Sequence, residues 1–117
     1  MEDHILNLAN ECVLHSENSI EMIDINFNSA IQFLNEAFFC VKKLEDFYFS
    51  DFKNCNSELL DFCKHFYHFN EIVLKYSDNK EDIHKELNNL KSLYDELKDC
   101  FSSCFNGIDI RRKIVGV

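Results

Sequence analysis

Proline, threonine and tryptophan are missing from this chain, and glycine occurs twice, at Gly107 and Gly116. The first 106 residues therefore contain neither of the residues that most often break a helix. Without threonine, the supply of strand-favouring residues is thin as well. No run approaches the roughly 18 consecutive apolar residues of a membrane span. The acidic start Met-Glu-Asp-His leads into a broken apolar pattern, so a secretory signal is not expected. No lysine or arginine precedes Lys42, and the net charge is -9. An acidic surface repels phosphate, which disfavours direct nucleic-acid binding. These absences predict a soluble, intracellular, all-α protein, cytoplasmic or nuclear, with no transmembrane segment.

What is present is helical periodicity. Leu6, Ala9, Val13, Ser16, Ile20, Ile23, Phe27, Ala30, Leu34, Ala37, Val41, Leu44 and Tyr48 follow one another at alternating steps of three and four. That spacing keeps a stripe on one side of a helix facing a partner. After a one-residue slip, Phe52, Cys55, Leu59, Phe62, Phe66, Phe69, Val73 and Tyr76 repeat it. A third seam runs through Ile83, Leu87, Leu90, Tyr94, Leu97, Phe101, Cys104 and Ile108. The expected fold is a bundle of three or four antiparallel helices with heptad, coiled-coil-like packing. At 117 residues it forms one domain, which we place at 1–106, followed by a short tail at 107–117.

Local chemistry suggests the boundaries. Asp78 with Glu81 reads as a capping box opening the last helix. Asn106 and Gly107 read as its C-terminal stop. Asn54, Asn56 and Ser57 suit a turn and cap near 51–57. Asn18 with Glu21 reads as a second capping box, so a first helix is expected to end near Ser16 and a second to begin near Ser19. The expected helices are about 3–16, 19–50, 57–76 and 79–106. The alternative is one helix of about 48 residues, about 70 Å long, because the first seam stays in register across that boundary.

Residues 37–52, "AFFCVKKLEDFYFSDF", hold six aromatic rings. On a helical wheel Ala37, Phe38, Val41, Leu44, Tyr48, Phe49 and Phe52 share a broad stripe, extended by Cys40 and Phe47. Most of these rings are expected in a core. Phe39 falls instead on the polar face with Gln32, Lys42, Lys43 and Asp46. Phe39, Lys42 and Asp46 are therefore candidate partner-binding residues on an otherwise solvated face. Arg111, Arg112 and Lys113 are a second candidate set, on a frayed tail that could meet an acidic face of its own or another chain, or an anionic surface.

Catalytic and metal constellations are weak. Glu81 and His84 form a single Glu-x-x-His, where di-iron bundles use two with further carboxylates. Cys63, His65, His68 and Glu71 spread around one helix. Cys100 and Cys104 share a face at i and i+4. The six cysteines are expected to be reduced thiols, mostly buried, since no secretory signal points to a disulfide framework. There is no glycine-rich phosphate loop and no legible nucleophile arrangement. Neither enzyme activity nor a cofactor nor a metal is expected. In general character the chain resembles small subunits of coiled-coil adaptor, tethering or kinetochore complexes, with helical faces meeting protein partners or a second copy. A self-contained bundle that binds an amphipathic helix in a groove, as cell-death regulators and their viral mimics do, is the alternative. A helical metal- or ligand-binding protein is a weaker one.

Overall fold

The computed structural model describes residues 2–50, 55–75 and 78–115, with side chains described from 3 to 102 within those ranges. Four α-helices follow in order: α1 (Glu2–Met22), α2 (Phe27–Phe49), α3 (Asn56–Lys75) and α4 (Lys80–Val115). No strand occurs among the described residues. The chain is all-α.

Contacts across the helices give the topology. His4, Glu11 and His15 of α1 meet Phe47, Cys40 and Glu36 of α2 in turn, so the α2 numbers fall as the α1 numbers rise. Glu17 and Asp24 pair with Lys91 and Lys80, which sets α4 antiparallel to α1. Cys55 bonds to Cys100, and His65 contacts Glu86, which makes α3 and α4 antiparallel too. The main contacts run α1–α2, α2–α3, α3–α4 and α4–α1. This is an up-down-up-down four-helix bundle.

The three seams close on one another in a single core. Phe62, Phe66 and Phe69 of α3 are fully buried and meet Ile83, Leu90 and Leu97 of α4 in that core. The α1 and α2 stripes carry smaller residues: Ala9, Cys12, Ser16 and Ser19 on one, Ala30, Ala37 and Cys40 on the other, all buried. Small side chains let two backbones approach, and this is the most extensive helix pair.

Several boundaries differ from expectation. The first break lies at residues 23–26, not at 16–19, and a single 48-residue helix is excluded. Ser16 and Ser19 face the core, and the Ser16 hydroxyl donates to Cys12 O at 2.8 Å inside the helix. The serines thus line a helix interface and do not open a cap. Asn26 is the N-cap of α2 instead: its backbone is extended and its side chain accepts from Ser29 N at 3.2 Å. At the α3–α4 turn the cap is one residue later than expected. Asn79 Oδ1 accepts from Asp82 N, and Asn79 Nδ2 donates to Asp82 Oδ2 at 2.7 Å.

The stop expected at Asn106 and Gly107 is not used, since α4 continues to Val115. One glycine costs a helix only about 1 kcal/mol relative to alanine, and no proline follows to enforce a halt. The break near 51–57 does occur, between Phe49 and Asn56. Phe52 and Tyr76, assigned to the second seam, lie outside the described residues.

The aromatic stretch also needs correction. None of the described rings of residues 37–50 is fully buried, because the buried line of α2 is Ala30, Leu34, Ala37, Cys40, Val41 and Leu44. Phe38, Phe47 and Tyr48 pack against the core from its flanks. Phe49, expected inside, is 77% exposed at the last turn of α2. The interior rings come from α3, with Phe101 from α4.

Candidate interaction surface

The outer face of α2 is built by the packing just described. With one flank turned to α1 through Cys40 and Phe47, and the other to α3 through Phe38 and Glu45, the remaining arc centres on Phe39. Phe39 is 67% exposed, and Lys42 and Asp46 are exposed beside it. All three lie where the sequence reading placed them.

Lys42 is held more firmly than a solvated lysine. Its Nζ sits 5.2 Å from the Phe38 ring centroid and 5.7 Å from that of Tyr67. The two rings meet edge to face with centroids 5.6 Å apart. A cation over two aromatic faces gains on the order of 0.5–1 kcal/mol at an exposed site. The Tyr67 hydroxyl donates to Glu45 Oε1, which closes a shelf of alternating charge and ring across the α2–α3 boundary.

Beyond the shelf lies a groove of about 150 Å³, lined by Glu45, Tyr48, Phe49, Leu60, Cys63, Lys64 and Tyr67. That volume matches an apolar cavity that takes one benzene-sized guest. It is smaller than the roughly 300 Å³ at which small-molecule sites begin. One inserted side chain fits it better than a metabolite or a whole helical stripe. Sequence reading missed this groove, because Leu60, Lys64 and Tyr67 join Tyr48 and Phe49 only through the α2–α3 packing.

Burial holds the free thiols above the ordinary thiol value. Burial first, and the nearby Glu45 second, push the Cys63 thiol up to about 12. Burial likewise raises Cys12 and Cys40 above the ordinary thiol value, with Glu11 adding to the rise at Cys40. All three are free and buried, as expected. Cys55 and Cys100 depart from the expectation: they form a disulfide between the start of α3 and α4. Antiparallel packing brings together residues 45 positions apart, which spacing within one helix cannot reveal.

The other predicted constellations separate. Cys63 faces the core, whereas His65 and His68 turn toward α4. Their Nε2 atoms lie 3.1 and 3.6 Å from one carboxylate oxygen of Glu86. Glu71 is exposed and paired with Lys75, whose hydrogen bond holds its carboxyl below the usual value. Glu81 and His84 are both exposed on α4. A polar cavity of about 450 Å³ opens beside His68 and Glu86, lined also by Ile72, Asn79, Asp82 and Lys85. No nucleophile, base and orienting group converge there. The side chains of Cys104, Arg111, Arg112 and Lys113 lie outside the described residues. Among the described residues, no helix is long and apolar enough to cross a membrane.

Set against known proteins, the chain matches no family model, no curated protein and no solved structure.

Proposed function

We propose that this chain is a non-enzymatic interaction protein, a small helical subunit that meets protein partners through the outer face of α2 and its groove with α3. The observation that carries the reading is the pairing of a closed core with exposed aromatics on one helix. Apart from Phe27, which is 42% exposed, the described positions of the three heptad seams are used inside the chain, so a partner is met chiefly by what they leave outside. Phe39 and Phe49 stand two-thirds or more exposed. They flank the Lys42 shelf and the groove. Aromatic side chains with an ordered cation beside them are the composition in which contact hot spots are enriched.

The second reading, a self-contained regulator that receives an amphipathic helix, draws on the groove itself. Its volume admits one anchoring side chain of such a helix, with the rest lying along Phe39 and Lys42. Both readings use the same surface, and the net charge of -9 disfavours direct nucleic-acid contact as the main role.

The test compares the native mass of the tagged chain in extracts of its source cells, as wild type, as F39D/F49D and as H84D on exposed α4. The expected result is a species well above 13.9 kDa for wild type and H84D, reduced to the monomer by F39D/F49D. A wild-type chain that runs as a monomer, or a double variant that stays in the larger species, overturns the reading.

A further inference from the structure

Among the described residues, one cluster brings three metal-ligating side chains within 4.8 Å of one another: Cys55, Glu58 and Cys100. Two come from the first turn of α3 and its preceding residue, and the third from α4. We infer that, when the disulfide is reduced, these three residues bind a thiophilic divalent cation of the Zn²⁺ type, so that bridge and ion are alternative occupants of one site.

Local structure explains the convergence. Cys55 precedes α3, and its carbonyl accepts the first helical bond from Leu59 N at 2.9 Å. Its φ of 56° is left-handed, and it is the one such non-glycine residue described. That conformation is disfavoured for any residue with a β-carbon and tends to persist where the surroundings impose it, often at functional sites. Glu58 lies three residues on, the position from which a glutamate returns over its N-cap residue. Cys100 arrives from α4 with its Cα 6.1 Å from that of Cys55. On a tetrahedral ion with Zn–S bonds of about 2.3 Å, two thiolates sit about 3.8 Å apart. Side-chain rotation reaches that spacing without moving the helices.

The donor set selects the ion. Two thiolates with one carboxylate suit zinc, and a third protein ligand leaves the fourth position to water. The buried Cys12, Cys40 and Cys63 belong to the core. His65 and His68 lie within ion-pair distance of Glu86 but do not converge to the same closeness.

The chemistry balances. A dithiol reductant gives its two thiol hydrogens to the sulfurs of Cys55 and Cys100 as the S–S bond breaks, and leaves as its own disulfide. The cation then displaces two thiol protons to water, with no change in its oxidation state.

The test uses the full reduced chain with Co²⁺ as probe and Zn²⁺ as competitor. The expected result is thiolate-to-cobalt charge-transfer absorption at one ion per chain, cleared by Zn²⁺ and missing from the oxidised protein. C55S and C100S abolish it, and C104S leaves it unchanged. E58Q, which keeps both thiols and so tests the site even if a cysteine variant unfolds, weakens affinity by about tenfold or more. Circular dichroism verifies the fold of each sample. No band in folded, reduced wild type, a band that survives in C55S, its loss in C104S, or unchanged affinity in E58Q overturns the assignment.

Discussion

Phe39 and Leu34 sit five residues apart on one helix and should respond oppositely to truncation. Leu34 is 2% exposed and Phe66 is fully buried, so L34A and F66A are expected to cost about 2–5 kcal/mol. F39A removes a ring that water already surrounds, and its denaturant midpoint should shift by less than about 0.5 kcal/mol in stability. Ser19 offers a converse case. Its hydroxyl is buried without a partner, so S19A is expected to leave stability unchanged or raise it by about 1 kcal/mol. Cys63 sets a pH dependence. Its folded pKa of about 12 lies above the ordinary thiol value of 9.0, so its contribution is complete below pH 9 and is lost as pH rises toward 12. Each unit in that window costs about 1.4 kcal/mol for one such thiol. Urea titrations between pH 8 and 11 should show C63A losing less stability than wild type. Equal slopes would mean that this thiol ionises as readily in the folded chain as in the unfolded one.

The turns separate sequence reading from folded outcome most clearly at the helix ends. Asn26 caps α2, so N26A is expected to cost about 1 kcal/mol. Asn18, the residue first read as that cap, is exposed within α1, and N18A should be neutral or slightly stabilising, since alanine is the better helix former. Thermal melts of the two variants distinguish the boundaries directly. The seams themselves were legible: Ala9, Val13, Leu34, Leu44, Phe62, Phe69, Leu87 and Leu97 are all buried as the spacing requires. Periodicity reports which side of a helix is apolar, and that survives any error in where the helix stops. Caps were less legible because the Asn-x-x-Glu pattern at Asn18 opens no helix, whereas Asn26, with Ser29 three residues on, caps α2 without that pattern. Phe39, Lys42 and Asp46 could be placed on an outer face from one helix alone. The groove, the Lys42–Tyr67 contact and the Cys55–Cys100 bond all need two helices, and no single-helix wheel contains them.

At the scale of the whole molecule, the disulfide ties the second half of the chain into a loop with a sequence separation of 45 residues. In the chain-entropy account, closing such a loop is worth about 4 kcal/mol. Reduction should therefore lower the unfolding free energy by about 2–4 kcal/mol while leaving the helical signal of the native state in place. Loss of the fold on reduction would show that the core alone is insufficient. Because nearly all described seam positions are used internally, the purified chain is expected to sediment as a monomer across concentration. The unevenness of the packing has a further consequence. The α1–α2 and α3–α4 pairs are extensive, whereas the contacts joining one pair to the other are sparser. Such a bundle behaves as two leaves that can part at the α2–α3 boundary before either leaf melts. Amide exchange should then show two cooperative units, and the first transient opening would uncover Cys63 and the floor of the groove.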